Sequence, residues 1–168
     1  MEWSTHALSG VAAGYLVTGG DWKGALVGGV AGVIPDLDEP KSKFGRIFFP
    51  ISIPLNKIFG HRTFTHSLLF AFLLSGVFCF YEKWVALSVF SGIIAHIFGD
   101  MLTGKVKLFY PSSLSVGIPI PQMFFALIDR MAKIALLVVL VYFVWSDFLS
   151  ELTINQYFRE TVDNIPFF

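Results

Sequence analysis

The chain has 168 residues, of which 55% are hydrophobic and 14% charged, and its formal net charge is zero. Soluble domains carry about 25% charged residues, so this composition, with a mean hydropathy of +0.69, excludes an ordinary soluble domain and points to one membrane-embedded helical domain. The balanced charge leaves no basic footprint for nucleic acid, and the single cysteine cannot form an intrachain disulfide.

Five apolar segments follow in chain order. Glu2 and the lack of a basic n-region predict that the first is retained rather than cleaved as a signal peptide. It covers 5–19, opens on Thr5-His6 and carries Gly10 and Gly14 four apart. The second, 24–37, repeats that spacing in Gly24, Gly28 and Gly32 and ends on Pro35-Asp36-Leu37-Asp38. Small residues at this spacing share one helix face and let two backbones approach closely. Both segments are short, so they read either as crossing helices or as a buried hairpin. The connection 39–60 mixes proline, large apolar residues and lysine or arginine. Such a segment lies on the membrane surface or packs over a cavity.

The run His61-Arg62-Thr63-Phe64-Thr65-His66-Ser67 leads into the third segment, 66–81, with Thr65 or Ser67 placed to cap it. Cys79 within it reads as a packed apolar residue. The fourth segment, 84–102, ends on His96-Ile97-Phe98-Gly99-Asp100. A second long connection, 103–130, precedes the fifth segment, 131–149. A full span takes roughly 20 residues, which the last three segments fit. Trp22, Tyr81, Trp84 and Trp145 flank the short connections, where headgroup-level aromatics belong. The expected fold is all-α, a membrane-embedded bundle of about five helices forming one domain over 1–168.

Successive spans run in opposite directions. His6 begins the first, Asp36 and Asp38 end the second, His61 and His66 begin the third, and His96 and Asp100 end the fourth. All seven therefore fall on one side. Nine basic residues sort with them: Lys41, Lys43, Arg46, Lys57, Arg62, Lys105, Lys107, Arg130 and Lys133. Lys23, Lys83 and Arg159 fall on the other side, so the clustered side is expected to be cytoplasmic.

Imidazoles and carboxylates in apolar surroundings are costly unless paired or metallated. His6, Asp36, Asp38, His61, His66, His96 and Asp100 form an N/O donor set suited to one or two divalent ions. Zinc is the first expectation, with manganese or iron as alternatives. His96 and Asp100, four apart, share a helix face, with Thr103 one turn further. An aspartate not used as a ligand, Asp36 or Asp38, could serve as general base. Arg62 suits a substrate phosphate or carboxylate, its alternative being a structural pair with one of the aspartates. Lys105 and Lys107 are further candidates for holding an anionic group.

The ordered set of TH near the start, PDLD, HRTFTHS and HIFGDMLT followed by LFYP resembles the YdjM-like membrane proteins. The resemblance covers about 5–111, the motif core of the domain. That family is described as LexA-binding, inner-membrane-associated, metal-dependent hydrolases. It is in turn similar to zinc-dependent phospholipase C and P1-type nucleases, so the resemblance implies phosphodiester hydrolysis, with a lipid as one possible substrate. Thr63 stands where an HRG-type motif has glycine, which predicts a different local turn.

The expected activity is a membrane-bound metal-dependent hydrolase cleaving an amphipathic phosphoester at the cytosolic face of the inner membrane. Asp36, Asp38 and Arg62 are its candidate catalytic residues, and membrane lipids are its expected partners. One alternative is a metal-ion transporter or sensor; the other is a scaffold with a structural metal site. A transporter needs polar residues at mid-depth, and the helix centres 70–80 and 134–144 hold few.

Overall fold

The computed structural model describes residues 1–163, with side chains through 154, so the side chain of Arg159 lies outside the described residues. The apolar segments are helices: α1 Trp3–Val17, α2 Trp22–Ala31, α5 Leu68–Cys79, α6 Lys83–Thr103 and α7 Phe125–Asp163. The first long connection folds into a 3-10 turn, Pro35–Asp38, and two surface helices, α3 Lys43–Ile47 and α4 Phe49–Phe59. The second holds a two-stranded antiparallel hairpin, β1 Lys105–Val106 with β2 Val116–Gly117, pairing Lys105 with Gly117 and Val106 with Val116.

Local chemistry sets the helix ends. The Asp21 carboxylate accepts the Lys23 amide at 2.8 Å and starts α2. Ser67, of the two candidates, caps α5 by accepting the Phe70 amide at 3.2 Å. Thr65 is thereby freed for another task. Gly60, at φ 77°, ends α4.

The central element is α6, packed on α1, α2 and α5. Val85, Val89, Ile93 and Ile97 form one stripe along it, buried with Ala31 and Ala71. A second stripe carries Gly92, His96 and Asp100, again four apart. At its first position three backbones meet. A Cβ on Gly10 or Gly92 would run into the Gly28 carbonyl, and one on Gly28 into the Gly10 carbonyl. The four-residue glycine spacing therefore serves helix contact, as the sequence predicts.

The outer surface is apolar: Phe72, Leu73, Val77, Leu87, Phe98, Val138 and Val141 are all exposed. In water that coat would be an aggregation surface, whereas in a bilayer it meets acyl tails. Cys79, expected to be packed, is exposed on this coat, because α5 buries only Ala71 and Ser75. With 21 residues, α6 is long and apolar enough to cross a membrane. The 10 residues of α2 rise about 15 Å, half of a hydrocarbon core of roughly 30 Å. The α1–α2 pair thus has the dimensions of a buried hairpin.

Gly28→Val should destabilise the protein by about 1–3 kcal/mol or more through overpacking. Gly76→Ala, where a Cβ meets nothing within 4 Å, should be neutral or stabilising by up to about 1 kcal/mol. Thermal unfolding of the two variants in detergent measures the contrast; equal midpoints would refute the backbone contact.

Candidate metal centre

The seven ligand candidates reach the rim of the bundle on four different segments. α1 supplies His6, the 3-10 turn supplies Asp36 and Asp38, and α6 supplies His96 and Asp100. The turn before α5 supplies His61 and His66. It is held by the hairpin segment: Lys107 donates its amide to the Arg62 carbonyl at 3.1 Å, and Leu68 donates to Leu108 at 3.0 Å. The 3-10 turn is tied to the surface segment. Asn56 donates to the Asp38 carbonyl at 2.7 Å and Ser42 to the Asp36 carbonyl at 2.9 Å. Both long connections thus pack over the site.

Two sets of donor atoms converge. His66, His96 and Asp100 form one, and His6, Asp36 and His96 the other, each with its atoms within 4.8 Å of one another. His96 belongs to both. Its Nδ1 lies 2.7 Å from the Gly32 carbonyl oxygen; since a carbonyl only accepts, Nδ1 carries the hydrogen and Nε2 keeps the lone pair. His66 is oriented in the same way. Thr65 donates its hydroxyl proton to Asp38 Oδ2, and its oxygen lies 3.0 Å from His66 Nδ1. Asp38 Oδ2 lies 3.3 Å from the same nitrogen. His66 Nδ1–H therefore points at Thr65 and Asp38, and Nε2 points inward.

The consequence is a head-on approach. His66 Nε2 and His96 Nε2 are 3.0 Å apart, with Asp100 Oδ2 at 3.2 Å from the first and 3.9 Å from the second. Asp36 Oδ1 is 3.8 Å from His96 Nε2. His6 stacks on His96 with ring centroids 3.8 Å apart. Its buried Nε2 has no hydrogen-bond partner among the described residues and lies 3.3 Å from Asp100 Oδ1. Facing lone pairs and carboxylates at these distances require a cation between them, either a proton or a metal ion. Ligand atoms around a tetrahedral zinc are about 3.3–3.5 Å apart, so the donor set fits an ion with small adjustments.

The remaining sequence candidates sit outside these two sets. Asp38, fully buried, lies behind the imidazoles: besides His66 and Thr65 it meets His61 Nδ1 at 2.7 Å and accepts the Arg62 amide at 3.1 Å. Carboxylates in this position fix the tautomer and orientation of ligating histidines. His61 is one-third exposed at the rim. Arg62 forms the structural pair weighed as its alternative. Its Nε donates to Asp100 Oδ2 at 2.9 Å and its Nη2 to Oδ1 at 3.1 Å. Gly104 leaves room for this guanidinium, which a Cβ there would strike. Arg62 itself takes the left-handed φ of 60°. Thr63 bonds back through its hydroxyl to the Phe59 and Gly60 carbonyls. The Met1 amino group also reaches Asp100 Oδ1, at 3.1 Å, and Thr103 is buried beside it.

A cavity of about 220 Å³ opens on this rim, bordered by Asp36, His61, Arg62, Asp100 and Lys43. Lys43 is steadied over the Trp3 ring at 4.9 Å. The sequence reading placed it only among the basic residues, and the signal was its position just after the PDLD turn. Lys105 and Lys107 are not among the residues that border this cavity. Asp129 was also missed; it accepts from Thr5 Oγ1 at 2.7 Å and from the Glu2 amide at 2.8 Å, joining α7 to α1.

The family described as YdjM inner membrane protein matches residues 1–153. The chain belongs to this family. It is 34% identical over 127 residues to the uncharacterized protein YvsG of Bacillus subtilis, covering 71% of this chain and 79% of the relative. It is 38% identical over 96 residues to the inner membrane protein YdjM of Escherichia coli, covering 52% of this chain and 49% of that protein. The inner membrane protein YdjM of Shigella flexneri matches to the same extent. The chain thus spans about half the length of the YdjM proteins it matches. No solved structure matches it. YdjM membership and the apolar coat make this a membrane protein.

Electrostatics follow from the contacts. Burial raises the Asp36 pKa above the ordinary carboxylate value, partly offset by His6. Burial acts the same way on Asp38, but the hydrogen bonds from His61, His66 and Thr65 outweigh it and hold Asp38 well below the usual range. Burial opposes a charged His66, yet Asp100 and Asp38 hold its pKa up at about 9. A pKa above the ordinary value of about 6.5 means that the His66 proton stabilises the metal-free fold below that pH. This contribution is lost as pH rises through about 9. In Asp38→Asn the His66 titration should move down towards about 6.5. Imidazole NMR of the metal-free protein measures it, and a titration left near 9 would remove Asp38 from its orienting role.

Proposed function

We propose that the chain is a multi-pass inner-membrane hydrolase that uses one divalent ion, zinc first, to cleave a phosphoester of an amphipathic substrate at the cytosolic face. The observation that carries it is the head-on pair of Nε2 atoms of His66 and His96, 3.0 Å apart, with the Nε2 of His6, unpartnered among the described residues, beside them. The shared His96 favours a single ion, because an imidazole whose Nδ1 is committed has one lone pair to give. His66, His96 and Asp100 would hold it, joined by His6 or Asp36.

A bound divalent ion supplies Lewis acidity, lowering the pKa of water to roughly 7 and polarising a phosphoryl oxygen. The chain's own residues supply the rest. Gly32 and Asp38 lock the two imidazoles before substrate arrives. Asp36 borders the cavity, and its raised pKa suits it to accept a proton. Arg62 and Lys43 present cations at the mouth of the same cavity for an anionic group. Asp38 is enclosed by His61, His66 and Thr65, which makes it an orienting group more than a base. The basic residues gathered at this rim support a cytosolic orientation. The open cavity argues against a closed structural site. The apolar core of Ala31, Ala71, Val89 and Ile93 argues against an ion path through the bundle.

Purified protein should contain about one equivalent of zinc, iron or manganese by elemental analysis, and a chelator should abolish phosphodiester cleavage. His66→Ala and Asp100→Ala should lose both metal and turnover. Asp38→Asn should weaken metal affinity about 10–100-fold. Arg62→Lys should retain metal while raising KM. Wild-type metal content in both His66→Ala and Asp100→Ala would refute the assignment.

A further inference from the structure

A second cavity lies on the other side of His6. α7 packs on α1 and is pinned to it by polar contacts at two heights. At one end Thr5 and the Glu2 amide hold Asp129. At the other, Tyr15 donates to Asp147 at 2.7 Å. Between the pins, α1, α6 and α7 turn small residues towards one another: Ala12, Ala13, Ala95, Gly99, Ala132 and Ala135. Facing small residues normally let helices close together. Here they leave an apolar space of about 450 Å³.

The space is a groove open to the bundle surface rather than an enclosed void, and its apolar walls offer water no hydrogen-bond partners. In a bilayer the available occupant is hydrocarbon. The dimensions agree. His6 borders the groove at one end, with Leu16 and Val139 at the other. Ten residues of α1 rise about 15 Å, half of a hydrocarbon core of roughly 30 Å and so the depth of one leaflet. Its polar end abuts the candidate metal centre. His6 lines the groove while its Nε2 faces Asp100, and Met1 borders both this groove and the rim cavity.

We propose that the α1–α6–α7 groove is an acyl-chain subsite, holding one hydrocarbon tail of an amphipathic phosphoester whose headgroup lies at the His6–Arg62 rim. For the headgroup end this rests on the hydrolase reading; occupancy of the groove does not. The tail of a membrane lipid seated along α1 would present its ester to the rim cavity without leaving the bilayer. The groove would then select substrates by the length and number of their chains.

The probe is a monoacyl glycerophosphate with a diazirine at the chain end, added to the full-length protein in phosphatidylcholine nanodiscs and photolysed. Cross-links should map to the groove-lining Ala12, Ala13, Leu16, Ala132, Ala135 and Val139. Ala135→Trp and Ala13→Trp, which fill the groove, should cut labelling at least tenfold, while Leu137→Trp on the lipid-facing side should not. Competition by unlabelled monoacyl phosphates needs no variant; it should strengthen with chain length and then level once the groove is full. Labels spread over Leu137, Val138 and Val141 and indifferent to tryptophan would overturn the proposal. So would competition that rises without limit, which is partitioning into bilayer, or cross-links joining the groove to a second copy of the chain. His66→Ala should keep its groove labelling, so labelling in a protein that never binds metal leaves the subsite standing and removes only the hydrolase reading.

Discussion

Contact between backbones at Gly28 is the constraint on which the site depends. α1, α2 and α6 meet there without side chains between them. One turn further along each helix, that proximity is what lets chemistry assemble. His96 follows Gly92 by four residues and its Nδ1 finds the Gly32 carbonyl, which follows Gly28 by four. His6 precedes Gly10 by four and stacks on His96. The same three faces therefore carry glycine at the closest approach and imidazole or carbonyl one turn away. Widening the contact by a methyl group would separate His6, Gly32 and His96 together, although none of the three is altered.

The polar cluster in turn costs free energy unless its buried charges compensate one another. His6, His66, His96, Asp38 and Asp100 are all buried. Asp100 is met by Arg62 through two hydrogen bonds and by His6 and His66 within 3.3 Å. Removing one member from such a group costs more than its pairwise contact, since the rest are left charged and dry. The arrangement is layered. Asp38, Thr65 and Gly32 satisfy the outer nitrogens, so the inner nitrogens have nothing left to bond but each other and the acids. That polarity of tautomers, more than the number of histidines, is what supports the reading of a binding centre over a buried hydrogen-bond network.

The sequence made the helices, their order and the convergence of polar groups at one end legible, because apolar length and alternation of direction are both one-dimensional facts. Glycine spacing likewise revealed which faces of α1 and α2 would touch. What it left equivalent was Asp36 and Asp38. Two residues apart in PDLD, they look alike in sequence, yet the 3-10 turn sends Asp38 behind the imidazoles and Asp36 to the cavity. Arg62 was ambiguous for a similar reason, since its partner Asp100 lies 38 residues away and on another helix. Lys43 and Asp129 were illegible as site or contact residues, because each acquires its partner only through a long-range approach, Trp3 in one case and Thr5 in the other. Cys79 misled because an apolar neighbourhood in sequence means burial in water but exposure to lipid in a bilayer.

The placement of α7 follows from the same reasoning about what a bilayer permits. A helix on the edge of a bundle has no hydrophobic force pressing it inward, since lipid tails solvate it as well as the protein does. Polar contacts must hold it instead, and those of α7 lie at Asp129 and Asp147, on either side of the groove. Contacts at two heights leave the stretch between them free to stand off from α6. The resulting groove is thus a product of where the polar pins sit, and alanines along it keep it wide. A helix docked by a continuous apolar stripe would have sealed the space, whereas one pinned at two heights leaves His6 between the apolar groove on one side and the polar rim on the other.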